Sequence, residues 1–104
     1  MDPLQVIAEP RRRRILGLVW DAEIAAGEIA AHFDVTFGAV SQHLAVLRDA
    51  GFVTMRKDGN RRLYKVDKEG LGPYRPLLES MWTETLDHLA ATIEADIADE
   101  GNNE

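Results

Sequence analysis

The sequence predicts a mainly α-helical fold with one small β-hairpin, in the order α-α-α-α-β-β-α. Three observations carry that expectation. Residues 27–51 (GEIAAHF, DVT, FGAVSQHLAVLRDAG) read as a short helix, a three-residue turn and a longer helix closed by glycine. Residues 52–66 are rich in β-branched and aromatic side chains around an Asp58-Gly59 dipeptide, a hairpin signal. Residues 74–98 repeat apolar side chains at three- and four-residue steps, the longest such stripe in the chain.

Length and composition bound the rest. At 104 residues the chain has room for one domain with a modest core. The domain is expected to span 1–98, with 99–104 as a frayed acidic tail. No run of about 18 apolar residues and no basic-then-apolar N-terminus occurs, so the expected location is cytoplasmic, with no membrane partner. The absence of cysteine excludes disulfides, thiol nucleophiles and thiolate metal sites. Net charge is −6, but it is unevenly spread. Residues 35–66 hold six basic against two acidic side chains, whereas 67–104 hold two against ten. Local charge governs attraction to phosphate, so the central segment is the candidate polyanion-binding face.

Taken in order, residues 3–8 (PLQVIA) form a short amphipathic helix with Leu4 and Ile7, too short to stand without packing. Glu9-Pro10 interrupts it, and Pro10 suits the first turn of the next helix, residues 10–20. There Ile15, Leu18 and Val19 give an apolar stripe. Arg11 to Arg14 oppose the helix macrodipole, so they either touch phosphate or are solvated and salt-bridged to acids such as Glu9. Residues 21–25 are a link.

The first motif helix spans 26–33, with Ile29 and Phe33 on one face. Asp34-Val35 turns the chain and Thr36 is a good N-cap for the helix 37–50. On that helix Phe37, Val40, Leu44 and Leu47 fall in a band about 80° wide, the expected buried face. Gly38, Ala39 and Gln42 lie opposite, flanked by Ser41 and His43. Small residues permit close approach and polar ones reach base edges or phosphates, which is what a helix entering the DNA major groove requires. Singly, these side chains are also what any exposed helix shows. Gly51 supplies the C-cap.

The hairpin tip, Arg56 to Arg62, holds four basic residues in seven. A basic hairpin directly after such a helix has the layout of the wing of a winged helix-turn-helix, lying along the backbone or reaching the minor groove. A solvated charged tip is the plain alternative. Residues 67–73 are expected to be loop. Leu78, Trp82, Leu86, Leu89, Ile93 and Ile97, with Met81 beside them, then form a stripe that so small a domain cannot cover. A partner copy is the simplest cover, giving a symmetric dimer.

The matching segments GEIAAHF, TFGAVSQHLAVLRDAGFV and the hairpin ending RRLYKV resemble, in order and spacing, the ArsR/SmtB family of bacterial and archaeal winged-helix repressors. EPRRRRILGLV resembles that family's second helix, and the first and last helices resemble its dimerisation helices, so the likeness covers about residues 3–95. The run from Ser41 to Gly51 is its most specific part. The resemblance implies a homodimer, joined through helices 3–8 and 74–98, on double-stranded DNA with a near-palindromic operator. It implies groove or phosphate contacts from Thr36, Gly38, Ser41, Gln42 and His43, and wing contacts from Arg56, Lys57, Asn60, Arg61 and Arg62. It places the dimer interface at Leu4, Ile7, Leu78, Met81, Trp82, Leu86, Leu89 and Ile93. It also implies a departure. Arsenic- and cadmium-type members carry cysteines where this chain has Ala25 and Gly27. Zinc-type members use Asp and His pairs on the last helix, where this chain has Asp87 and His88 without a second histidine. The expectation is therefore a non-metal-sensing branch with no cofactor and an unidentified effector.

The net charge of −6 favours an alternative, a winged helix used for protein or RNA contact. An enzyme is not expected. Ser41 and His43 form no dyad, because residues two apart on a helix point about 200° apart, and no phosphate loop or metal triad is present.

Overall fold

The structure, a computed structural model, describes residues 1–82. Residues 1–72 form one unit, and a second begins at Pro73. Helix α1 (Pro3–Ala8) starts at Asp2, whose carboxylate accepts the Leu4 N–H at 3.0 Å. Glu9 is extended, ends α1, and caps α2 (Pro10–Leu18) by accepting the Arg12 N–H at 2.9 Å. Helix α2 packs on both α1 and α4. Two neighbours widen its buried arc, so Ile15, Leu16 and Val19 are all buried. The stripe expected through Leu18 is corrected to one through Leu16, and Leu18 is half-buried.

The link before the helix pair holds a strand that the sequence reading missed. β1 (Ile24–Ala25) pairs antiparallel with β3, Ile24 opposite Tyr64 and Ala25 opposite Leu63. The hairpin is thus part of a three-stranded sheet in the order β1-β3-β2. Helix α3 (Ala26–Ala30) is shorter than the expected 26–33. Its end tightens through bonds from His32 N–H to Ile29 O (3.1 Å) and Phe33 N–H to Ala30 O (3.0 Å).

Helix α4 (Phe37–Asp49) is capped at both ends. Thr36 Oγ1 accepts the Ala39 N–H at 3.1 Å. At the other end Gly51 takes φ +81, its N–H donates to Arg48 O (3.0 Å), and the Phe52 N–H donates to Leu47 O (3.0 Å). That pair of bonds is a Schellman motif, and buried Phe52 beside buried Leu47 supplies its apolar contact. Helix α4 packs on α2, α3 and β2 through Val40, Leu44 and Leu47.

Strands β2 (Val53–Asp58) and β3 (Arg61–Val66) pair with Asp58 opposite Arg61. The two-residue loop is therefore Gly59-Asn60, one position later than Asp58-Gly59. Gly59 has φ +62 and Asn60 does not, which suits a turn with glycine at its first central position. The expected loop 67–73 contains a short helix, α5 (Lys68–Leu71), capped by Asp67, which accepts the Gly70 N–H at 3.0 Å. Bonds from Val66 N–H to Val19 O (3.0 Å) and from Asp67 N–H to Phe52 O (2.9 Å) fix this corner.

The core of the first unit joins Ile15, Leu16 and Val19 to Ile29, Val40, Leu44, Leu47, Phe52, Val53, Leu63, Val66 and Leu71. Full burial of such a side chain is worth about 1.5–3 kcal/mol against exposure. Among the described residues no polar or charged side chain is buried, so folding strands no charge away from water. In the second unit, α6 is helical over its described residues 74–82. Among the described residues no helix is long and apolar enough to cross a membrane.

Candidate nucleic-acid interface

The first turns of α3 and α4 and the hairpin tip border one open cleft of about 700 Å³. Ala25, Ala26, Gly27 and Glu28 form one side, Phe37 and Ser41 another, and Asn60, Arg61, Arg62 and Tyr64 the third. On α4, Thr36, Gly38 and Gln42 are exposed, while Ser41 and His43 are half-buried. Of the expected groove face, Gly38 and Gln42 are thus exposed, while Ala39 is half-buried.

Phe37 corrects the expected buried face. It is 56% exposed, whereas Val40, Leu44 and Leu47 are buried. The helical wheel puts it on the apolar side, but it occupies the first position of the helix. Helical side chains lean toward the N-terminus, so Phe37 projects past the end of the core and onto the cleft shared with α3 and the hairpin.

The wing carries its basic residues in two states. The Arg56 guanidinium pairs with Glu23 through both nitrogens, Nε to Oε2 at 3.2 Å and Nη2 to Oε1. Arg61 Nη2 donates to Glu28 Oε1 at 2.7 Å. Lys57, Asn60 and Arg62 are exposed, and Lys57 and Arg62 form no ion pair with the described residues. The Arg56 hydrogen bond holds the Glu23 carboxyl below the usual carboxylate range and raises Arg56 in turn. The pair therefore persists in mild acid and is lost only as pH falls through that lowered value. These two acids, both 33 residues before their partners, were missed in the sequence reading. Their charge was visible, but nothing local said which base each would meet.

The arginine run is largely structural. Arg12 donates from Nε to Val6 O (2.7 Å) and from Nη2 to Gln5 O (3.1 Å), closing the carbonyl end of α1. Arg11 lies 3.9 Å from Glu9, and Arg14 sits over the Phe33 ring at 5.0 Å. Of the expected interface residues, Leu4 is exposed, Met81 and Trp82 are half-buried, and Ile7 and Leu78 are buried within the single chain. Leu86, Leu89 and Ile93, the Asp87-His88 pair and the tail 99–104 lie outside the described residues. Among the described residues no three His, Asp or Glu side chains converge as a metal site would need.

The helix pair with its hairpin can be compared with known proteins. The pattern of the bacterial regulatory proteins of the arsR family matches residues 9–55, from the cap of α2 into β2. The HTH-type transcriptional regulator Rv2034 of Mycobacterium tuberculosis is 38% identical over 92 residues, 88% of this chain and 86% of that one. The chain belongs to the arsR family. An arsenical resistance operon repressor of Staphylococcus xylosus is 35% identical over 65% of each chain. Among solved structures, a possible transcriptional regulator for arsenical resistance is 47% identical with a TM-score of 0.69, over 88% of this chain and 96% of that one. The homodimeric winged helix-turn-helix DNA-binding domain Mb0332 of Mycobacterium bovis is 28% identical with a TM-score of 0.67, over 83% and 80%. This arsR-family chain is a transcriptional regulator with a DNA-binding winged helix, and not an enzyme. In that frame α3 and α4 are the helix-turn-helix and β2–β3 is the wing.

Proposed function

We propose that this regulator is a homodimeric repressor that reads a near-palindromic operator with α4 in the major groove and the wing on the backbone or minor groove. The observation that carries the reading is the open side of α4. Thr36, Gly38 and Gln42 are exposed on one capped helix, beside a hairpin tip whose Lys57 and Arg62 form no ion pair with the described residues. Gln42 offers the donor and acceptor that pair with adenine, and Ser41 and His43 reach the groove flanks or phosphates. A two-fold axis places the two α4 helices about one DNA turn apart, roughly 34–36 Å.

Dimerisation is assigned to α1 and to the helix that begins at residue 74, with Leu4, Met81 and Trp82 among its contacts, in line with the homodimeric Mb0332 domain. With Ala25 and Gly27 at the start of α3, that helix offers no thiolate, so the switch is assigned to a non-metal signal acting through the dimer helices.

Salt titration tests the reading. Affinity for the duplex upstream of the regulator's own coding sequence should fall steeply with salt, with a slope of about −0.9 per phosphate contacted. A salt-independent affinity, or no binding at low salt, overturns it in favour of a protein or RNA partner.

A further inference from the structure

Phe37 is an exposed large apolar side chain in the cleft, and no part of the proposed contact set uses it. It is 56% exposed at the first position of α4, on the same cleft as Ser41, Asn60, Arg61 and Arg62. Its neighbours define what can fill that cleft. Arg62 and the N-terminal end of a 13-residue helix favour a polyanion, as does Arg61 once it leaves Glu28, the acid that lines the same cleft. The occupant must therefore bring negative charge for the rim and an apolar group for the ring.

The DNA major groove offers that combination at one place only. Its base edges present donors and acceptors, the small C5–H of cytosine, and one apolar group that protrudes, the C5-methyl of thymine. A phenyl ring set against any other edge would cover polar groups without replacing their hydrogen bonds, which is unfavourable. Set against a methyl group, it gains contact and loses none. Gln42 lies five residues further on, more than one turn along the axis and about 140° round it, so Phe37 meets the duplex from the flank of the groove face and the two side chains address different base pairs.

We propose that Phe37 reads a thymine methyl in each operator half-site and is a specificity-determining residue of this regulator. This rests on the major-groove reading of α4 above. The ring takes no share in phosphate neutralisation, so its effect is confined to particular base pairs and independent of salt.

The test begins with a duplex enriched from a random-sequence library by the full chain. Each thymine of a half-site is then replaced by deoxyuridine, symmetrically in both half-sites, which removes the methyl and nothing else. For the native chain one such replacement should weaken binding about fourfold per half-site, the order expected for one buried methyl-sized group. For Phe37→Ala the same replacement should change affinity less than about 1.5-fold, while the salt slope stays at the native value. The exposed position leaves folding intact, and Phe37→Leu, which keeps an apolar contact, should retain part of the discrimination. Equal uracil penalties in native and Phe37→Ala proteins overturn the inference, as does a flattened salt slope in the variant. Failure to enrich any duplex overturns the DNA-reading proposal itself and Phe37's role with it.

Discussion

Gln42 and Arg61 are both exposed, yet they stand in different relations to the rest of the chain. Gln42 is on the open side of α4, with both hydrogen-bonding functions of its amide available. Gln42→Ala should weaken binding to an enriched duplex by about 1–3 kcal/mol and leave random-sequence binding nearly unchanged. Competition titrations against both DNAs measure the difference, and equal losses would make Gln42 a backbone contact. Arg61, by contrast, is held by Glu28 at 2.7 Å. If Arg61 contacts phosphate as proposed, DNA must compete with that carboxylate, and Glu28 is expected to act as a brake on the wing. Glu28→Gln should raise affinity on all sequences by about two- to fivefold, the scale of an exposed ion pair. It should also steepen the salt slope by about 0.9, one added phosphate contact. An unchanged slope would show that Arg61 keeps its carboxylate partner in the complex. The sequence displayed every one of these charges. It did not display their pairing, because ion pairs across 33 residues depend on how β1 and α3 lie beside the hairpin.

Helices and strands were legible where a long periodic pattern or a chemical cap marked them. Thr36 and Gly51 bound α4 nearly as expected because each acts through its own neighbours. β1 and α5 were not legible, since two and four residues are too few to show a period. β1 exists because β3 offers it an edge, and α5 because Asp67 caps it against the end of α4. The same corner makes Gly70 costly to replace. A Cβ there would stand 2.0 Å from the Gly51 carbonyl oxygen, and a backbone atom cannot swing aside as a side chain can. Gly70→Ala should destabilise the fold by about 1–3 kcal/mol through overpacking. Denaturant unfolding should show a lowered midpoint with an unchanged slope. An unchanged midpoint would mean that α5 shifts freely against the α4 C-cap.

For the molecule as a whole, the proposed homodimer ties DNA binding by this regulator to assembly. The acidic excess after residue 66 and the basic excess within 35–66 were plain in the sequence, as was an apolar stripe too long for one small domain. What composition could not show is which apolar residues the chain covers itself. Ile7 and Leu78 are buried in the single chain, whereas Leu4 remains 54% exposed on α1. Val6 and Ile7 already anchor α1, so replacing Leu4 removes little from the subunit's own core. Leu4→Asp should therefore spare folding but set two like charges near a two-fold axis, where each faces its own copy. Sedimentation should show a shift from dimer to monomer at micromolar concentration. Affinity for a two-half-site duplex should then fall by about 10² or more toward that of a single half-site, because the second contact loses its high effective concentration. Binding to a single half-site should stay at the native level. A Leu4→Asp chain that remains dimeric with native affinity would exclude α1 from the interface and leave it to the helix that begins at residue 74.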